Sequence, residues 1–327
     1  MFPTHDEIAG WFASLRARSS GLIDHRMNAA ANALEASLPN CDDAYVVGST
    51  ARGWLLGPSD VDIIAITDDE IDEVTTTSDG LAVGISRMRR VDVMDRLQPG
   101  PATPSTLRLA SSLSSALPLR QTEGTAAFLL GANNGLRPDP ALVHWYLAVR
   151  NAWIAAHQHC RGRVSRIEVS RVLQINIFLV LLFSPFRVIK HRWNLMCLRQ
   201  LDHDLFDATV HAYDLLEIPD QASAIGDLAS RLKREGDFTP FHERALAEAL
   251  QDAGLVNTPQ TLLPPQTATY VLCLAFCLLA SASERNRKIA GTTCGDLIDN
   301  SLLDVLRTCS DRTDQLIASA AGNTPHL

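Results

Sequence analysis

YVVGSTARGWLLGPSDVDIIAIT, residues 45–67, is the stretch of sequence that decides the fold. Its first apolar run, residues 45–47, predicts a strand, and Gly48-Ser49 predicts the turn that leaves it. Residues 50–52 then open a short helix, whose free backbone N–H groups are able to bind phosphate. A second apolar run begins after Asp60 and predicts another strand. The segment is therefore expected to fold as strand, turn, short helix and strand.

Two aspartates mark the start of the second strand. Asp60 and Asp62 are two residues apart, and because side chains alternate along a strand, both carboxylates are expected on the same face. Aspartate is disfavoured in strands, and two on one face repel each other unless a positive charge lies between them. A divalent cation supplies that charge, and oxygen ligands favour Mg²⁺ or Mn²⁺. The pair therefore predicts a metal site.

A third carboxylate fits the same plan. Residues 90–94, Arg-Val-Asp-Val-Met, predict another short strand that carries Asp92. If this strand neighbours that of Asp60 and Asp62, three carboxylates converge and hold two metal ions about 3.5–4 Å apart, as in phosphoryl or nucleotidyl transfer. Asp92 is also a candidate to accept the proton of the attacking hydroxyl. Asp95 is the alternative acid, although in a continuous strand it faces the opposite side.

These motifs carry a family resemblance. Gly48-Ser49, ten intervening residues and Asp60-Val61-Asp62 resemble the signature of the DNA polymerase β-type nucleotidyltransferase superfamily, and Asp92 stands where its third metal-binding carboxylate is expected. The short gap between Asp62 and Asp92 is similar to that of the minimal and antibiotic-modifying members. The motif covers about residues 44–94, and the chain to about residue 124 also fits, with 115–124 as the last strand of a catalytic domain.

The fold class follows from this resemblance and from the sequence patterns. We predict an α+β protein with a nucleotidyltransferase fold, a small mixed sheet with flanking helices, over residues 1–130. Helical patterns then run at about 140–160, 166–183, 192–216, 222–236, 240–253, 266–290 and 296–320, and strand signals vanish. Residues 131–327 are therefore predicted to form an all-helical C-terminal domain.

The resemblance implies a reaction and a set of site residues. It implies transfer of a nucleoside monophosphate from a nucleoside triphosphate, with ATP expected, to a hydroxyl acceptor, with release of pyrophosphate. Two Mg²⁺ ions, or Mn²⁺ in their place, are implied at Asp60, Asp62 and Asp92. The residues implied for nucleotide contacts are Gly48, Ser49, Arg52, Ser59 and Lys190.

Lys190 enters this set from the helical half of the chain. It follows the apolar segment 172–189 and is one of three lysines in the chain, and related nucleotidyltransferases use a lysine after an apolar helix to reach the phosphates. Arg187 and Arg192 are substitutes for the same role. A lysine that only complements the dipole of its helix remains the structural alternative.

The acceptor is constrained mainly by charge. The formal net charge is −8, whereas proteins that bind polynucleotides are usually basic, so nucleic acid is disfavoured but not excluded. A small molecule, either antibiotic-like or a biosynthetic intermediate, is the preferred acceptor. The enzymatic alternatives are a toxin- or antitoxin-type enzyme that modifies tRNA or a partner protein, and a template-independent polymerase. The non-enzymatic alternative is an inactive nucleotide-sensing module.

The sequence also predicts a compartment. An odd number of cysteines, seven, with no Cys-X-X-Cys pair indicates reduced thiols and a cytoplasmic protein. Polar residues His5, Asp6 and Glu7 near the start do not suit a signal peptide. The apolar segments 172–189 and 270–282 are interrupted or too short to span a bilayer, so we expect no membrane association.

Overall fold

The chain is divided into two compact units. The computed structural model describes residues 4–55, 60–68, 72–158, 164–187, 191–216, 221–256, 263, 266–281, 283–286, 288–289, 296–297 and 300–322. The N-terminal unit comprises Pro3–Pro140 together with Pro185–Val188, and the C-terminal unit comprises Ala141–Ser184 and Ile189–Leu327. The predicted boundary after residue 130 falls inside a helix of the N-terminal unit, which spans Glu123–Gly135.

The N-terminal unit combines α-helices with a small mixed sheet, as predicted. Its helices are α1 His5–Arg18, α2 Ser20–Ser37, α3 Gly48–Arg52, α4 Arg90–Arg96, α5 Pro104–Ser114 and α6 Glu123–Gly135. Its strands are β1 Asp43–Val47, β2 Val61–Thr67, β3 Glu73–Ser78, β4 Leu81–Arg89, β5 Gly100–Ala102, β6 Leu117–Arg120 and β7 Leu136–Pro138. Five strands form the main sheet in the order β3-β4-β2-β1-β6. Strands β2 and β4 are parallel, and the other neighbours in this sheet are antiparallel.

One face of the main sheet forms the core with α2. Val61, Ile63 and Ala65 of β2 pack with Ala33 and Leu34 of α2. The small alanine side chains allow the helix to lie close to the sheet, while the alternation of β2 directs Asp62 to the opposite face. The predicted strand–helix–strand order of residues 45–67 is confirmed where the structure describes it.

The predicted strand at residues 90–94 is wrong, because these residues belong to helix α4. The alternation of Val91 and Val93 suggested a strand with both valines in the core. Val93 and Leu97 are in fact the buried pair, whereas Val91 is 56% exposed. Buried residues four positions apart follow the period of a helix.

The C-terminal unit is mainly helical in the part that the structure describes. Two two-residue strands, β8 Val164–Ser165 and β9 Asp296–Leu297, pair with each other, and a 3₁₀ turn spans His191–Trp193. The α-helices are α7 Pro140–Gln158, α8 Arg166–Phe183, α9 Asn194–Leu201, α10 His203–Leu215, α11 Gln221–Glu235, α12 Pro240–Val256, α13 Thr267–Ser281 and α14 Asn300–Gly322.

Asp202 divides the helix that the sequence predicts at 192–216. It is the N-cap of α10, where its carboxylate accepts a hydrogen bond from the Leu205 N–H at 2.8 Å. The same carboxylate forms an ion pair with Arg312 of α14. A capping aspartate stabilises a helix start, so the chain turns here instead of continuing α9.

Both apolar segments of the C-terminal half lie in the core. Val172 and Leu173 of α8 and Tyr270 and Phe276 of α13 are buried. Within the described ranges, no helix is both long enough and apolar enough to cross a bilayer.

Candidate functional site

The candidate site is built around a close approach between Gly48 and Asp62. Val47, the last residue of β1, pairs with Asp62 of β2, so the turn that follows β1 lies beside this carboxylate. Gly48 has φ +69°, a conformation that glycine adopts readily. A Cβ atom at Gly48 would lie 2.6 Å from Oδ2 of Asp62. Any residue with a Cβ atom at this position would therefore require the Asp62 carboxylate to move.

Helix α3 is held in place by neighbouring side chains and backbone. The guanidinium of Arg16 donates from Nη1 to the Ala51 carbonyl at 2.9 Å, which satisfies a carbonyl at the end of the helix. The Trp54 N–H donates to the Ser49 carbonyl at 2.8 Å. These bonds fix the backbone that carries Ser49, which is half-buried.

Arg26 contacts both helix α3 and Asp60, the residue that precedes β2. It was not identified from the sequence. Its Nη1 lies 3.4 Å from Oγ1 of Thr50 and 3.4 Å from the carbonyl oxygen of Asp60. Burial lowers the pKa of Arg26, and the nearby Asp60 carboxylate opposes that shift. The signal was present in α2: Ile23, Arg26, Ala30 and Ala33 follow a helical spacing, which places the arginine on the buried face.

Asp60 and Asp62 form the chemical centre of the site. Asp62 is half-buried on β2, and Asp60 immediately precedes the strand and is exposed. Two carboxylates so close in the chain create a local negative potential that attracts cations. This arrangement agrees with the expected position of the Asp-X-Asp pair at the start of a strand.

Asp92, by contrast, does not join this pair. Strands β2 and β4 are parallel, and Asp62 is paired with Gly84 whereas Thr67 is paired with Arg89. Arg89 lies five residues beyond Gly84, about 16 Å along the strand at about 3.3 Å per residue. Asp92 follows Arg89 and forms a two-point ion pair with it, at 2.8 and 2.9 Å. The predicted convergence of three carboxylates is therefore not formed.

Strand β4 supplies no replacement for Asp92. Gly84, which has no side chain, is the β4 partner of Asp62, and residues 81–89, Leu-Ala-Val-Gly-Ile-Ser-Arg-Met-Arg, include no acid. No group of three or more His, Cys, Asp or Glu side chains suited to a metal is found among the described residues. The site is thus a two-carboxylate centre as far as the structure describes it.

Arg52 faces the interior of the N-terminal unit. It is 6% exposed, and its Nη2 donates to the hydroxyl of Ser111 at 3.1 Å and to the Ser111 carbonyl at 3.3 Å. Its guanidinium also lies over the Trp54 ring at 5.3 Å and near the Phe12 ring at 6.0 Å. The predicted phosphate contact does not agree with this position, since the side chain joins α3 to α5.

The remaining predicted nucleotide contacts are only partly described. Ser59 and Lys190 lie outside the described residues. Of the two substitutes for Lys190, Arg187 is buried, donates from Nη2 to the Leu136 carbonyl at 3.1 Å, and has its pKa lowered to about 10 by burial. Arg192 forms an ion pair with Asp252 at 2.8 Å. Each arginine is engaged within its own unit.

We expect Gly48→Ala to destabilise the N-terminal unit and to displace the Asp62 carboxylate. A non-glycine residue in this left-handed conformation costs about 1–2 kcal/mol, and the new methyl group would overlap Oδ2 of Asp62. The free energy of unfolding, measured in urea at 25 °C, should fall by at least that amount.

Gly80→Ala is the matched control for this change. Gly80 has φ +78°, but a Cβ atom at this position would have no neighbour within 4 Å, so the substitution isolates the cost of the backbone conformation. The loss at Gly48 should exceed the loss at Gly80, and the excess should disappear in an Asp62→Ala background. Equal losses in both backgrounds would show that Gly48 and Asp62 are not in contact.

Comparison with models of known protein families and with curated proteins finds no match for this sequence. The resemblance to nucleotidyltransferases accordingly depends on the residues of the site and on their arrangement.

Proposed function

We propose that the protein transfers a nucleoside monophosphate group from a nucleoside triphosphate to an acceptor hydroxyl, with release of pyrophosphate. The observation that carries this proposal is the close approach of the Asp62 carboxylate to the Gly48 turn, where a Cβ atom at Gly48 would lie 2.6 Å from Oδ2. A glycine turn beside a pair of carboxylates suits a triphosphate whose charge is shared with a cation.

The residues of the site fit a bound Mg²⁺ or Mn²⁺ ion. Asp60 and Asp62 offer carboxylate oxygens, and Gly48 places no side chain against Oδ2 of Asp62. Magnesium is commonly held by one or two carboxylates, with substrate phosphates and water as the other ligands. When bound, the ion would neutralise phosphate oxygens and increase the electrophilicity of the α-phosphorus. Two carboxylates support one such ion, instead of the two that Asp92 would have allowed.

The protein's own groups would then bind and orient the nucleotide. The backbone at Gly48 and the hydroxyl of Ser49 would contact the β- and γ-phosphates, while Arg26 would hold the main chain of Asp60 in position. The acceptor oxygen attacks the α-phosphorus, and the bond from that phosphorus to the bridging oxygen breaks. Pyrophosphate leaves with the bonding electrons, and the hydroxyl proton passes to solvent. Lys190 remains a sequence-based candidate for charge neutralisation.

A second function, nucleotide binding without turnover, is favoured by one observation. Gly84 is the β4 residue beside Asp62, so β4 contributes no carboxylate to activate the acceptor. A nucleotide-sensing module would need the phosphate and cation contacts but not that third acid. Nucleotide binding is expected for both functions, whereas product formation is expected only for the enzyme.

The acceptor in this proposal is a small hydroxylated molecule. The net charge of −8 disfavours a polyanion such as tRNA. The five cysteines of the described ranges are buried and none forms a disulfide with another of them: Cys41, Cys197, Cys273, Cys277 and Cys309. This supports a reducing, cytoplasmic setting.

The test uses nucleoside triphosphates labelled at the α-phosphate. The purified chain is incubated with each of the four nucleotides and Mg²⁺ or Mn²⁺, together with hydroxylated small molecules, tRNA or a cell extract. We expect the label in a small-molecule fraction and an equal amount of pyrophosphate. Label in tRNA or protein would retain nucleotidyl transfer and change the acceptor class.

Equilibrium dialysis with the same nucleotides completes the experiment. Binding without label transfer to any acceptor would overturn the enzymatic proposal and favour the sensing module. Absence of metal-dependent binding would overturn both. The Asp60→Ala/Asp62→Ala double variant is the control, since it should lose metal-dependent binding while it stays folded.

A further inference from the structure

The C-terminal unit contains a pocket that the proposed reaction does not use. Its volume is about 500 Å³, within the range of small-molecule sites. One wall is aromatic, formed by Trp145, Tyr146, Trp153, Phe178 and Tyr270 of α7, α8 and α13. A second pocket of about 420 Å³ shares Arg171, Gln174, His191 and Leu274 with the first. The two pockets are therefore neighbours within this unit.

Asn194 holds part of the wall of the aromatic pocket in place through a hydrogen bond to Tyr270. The residue is 6% exposed and lines the pocket. Its Nδ2 donates to the Tyr270 hydroxyl at 2.7 Å, whereas its Oδ1 has no hydrogen-bond partner among the described residues. Because this oxygen is itself buried from solvent, a molecule in the pocket would not reach it, and the role of Asn194 is to position the Tyr270 ring.

Arg171 supplies a positive charge where the two pockets meet. It is half-buried on α8, and it makes no hydrogen bond or ion pair with any described residue. Arg192 is paired with Asp252, which lines the second pocket. An unpaired guanidinium beside an apolar wall attracts a carboxylate, phosphate or sulfonate, because the reduced solvation strengthens charge-assisted hydrogen bonds. Glu248 lies in the second pocket, so an anion is better placed in the aromatic one.

We propose that the aromatic pocket binds a small aromatic molecule that carries one anionic group. The ring system packs against the aromatic wall that includes Trp145 and Phe178, and the anion pairs with Arg171. The proposal is independent of nucleotidyl transfer, since every residue that carries it belongs to the C-terminal unit.

Two fluorescent probes with the same rings test the proposal. 8-Anilinonaphthalene-1-sulfonate has an aromatic body, an N–H group and a sulfonate, and N-phenyl-1-naphthylamine lacks only the sulfonate. We expect saturable binding of the sulfonate at one site per chain, with energy transfer from tryptophan. We expect the neutral probe to bind about tenfold more weakly or less.

Three variants identify the contacts. Arg171→Gln should weaken binding of the sulfonate about tenfold and leave the neutral probe unaffected. Trp145→Ala should weaken both probes, and because Trp145 is 56% exposed this change should preserve the fold. Arg199→Gln is the matched control: Arg199 is exposed on α9 and does not line either pocket.

Other outcomes overturn the proposal. Unchanged sulfonate affinity in Arg171→Gln would remove the anion site, and unchanged affinity of both probes in Trp145→Ala would remove the aromatic site. Binding of several sulfonate molecules without saturation would indicate a nonspecific apolar surface. Circular dichroism and thermal unfolding of each variant exclude partial unfolding, which also increases the fluorescence of this probe.

Discussion

Replacing Asp62 with asparagine is expected to reduce nucleotidyl transfer by about 10³-fold, which corresponds to about 4 kcal/mol of transition-state stabilisation. Asparagine keeps the size of the side chain beside Gly48 but removes the charge that would hold the cation. Because the two side chains are almost the same size, the variant should stay folded, and the loss should lie in activity. Labelled product formation and urea unfolding measure the two effects.

Asp92→Asn is the decisive comparison for this prediction. The sequence assigns Asp92 to the metal centre, but the structure places it beyond the far end of β4, where it pairs with Arg89. We therefore expect full transfer activity and a stability loss of at most about 1 kcal/mol, because the ion pair is partly exposed. A loss as large as that of Asp62→Asn would instead support the three-carboxylate centre.

The contrast between Asp62 and Asp92 shows what the sequence can specify. The position of Asp62 follows from local rules: a strand, a glycine turn and an alternating pattern whose faces have different polarity. The position of Asp92 depends on where β4 ends relative to β2, which is a long-range register. Residues 90–94 alternate well enough for a strand, and the helix at this point is identified only by the burial of Leu97 together with Val93.

Strand β3 was missed for a related reason. Residues 73–78, Glu-Val-Thr-Thr-Thr-Ser, lie in an acidic, threonine-rich stretch that has no apolar run. They form the edge strand of the sheet and pair only with β4, with no residue buried. An edge strand with two solvated faces carries little apolar signal, although threonine itself favours strands.

The role of Arg26 was predictable in part, and that of Arg52 was not. The helical period of α2 places Arg26 on its apolar face, which predicts a buried partner but not that the partner is Asp60. Arg52 follows the Gly-Ser turn at a spacing that suits a phosphate contact. Its actual partner, Ser111, lies 59 residues later in the chain, and local sequence has no information about such a distant contact.

Asp43→Asn is expected to reduce the free energy of unfolding by about 3 kcal/mol. The Asp43 side chain is fully buried at the start of β1 and forms an ion pair with Arg90 at 2.8 Å. It also accepts hydrogen bonds from the Thr122 N–H at 2.7 Å and from the Thr125 hydroxyl at 2.9 Å. An amide in its place would direct N–H donors at other donors and leave Arg90 without its buried partner.

The contribution of Asp43 to the free energy of unfolding should also depend on pH. Burial alone would raise the pKa of Asp43, but the hydrogen bonds from Thr122 and Thr125 and the Arg90 ion pair outweigh it, so the pKa is lowered. A carboxylate with a lowered pKa in the folded state contributes its full stability above its unfolded pKa of about 3.9. That contribution is lost as the pH falls through the folded pKa. The difference between wild type and Asp43→Asn should therefore be largest near neutral pH and shrink below about pH 4.

Asp42→Asn provides the matched control, because Asp42 is adjacent in sequence but exposed; its effect should stay within about 0.5 kcal/mol. Urea unfolding at pH 7 and pH 3 compares the three proteins, and equal pH dependence for wild type and Asp43→Asn would contradict the lowered pKa of Asp43.

The cluster formed by Asp43, Arg90, Thr122 and Thr125 also bears on the candidate site. Asp43 pairs with Ile66 near the end of β2, and Arg90 begins the helix that carries Asp92. The end of the sheet where Asp92 lies is thus occupied by an ionic cluster that joins β1, α4 and α6, whereas Asp60 and Asp62 lie at the opposite end of β2.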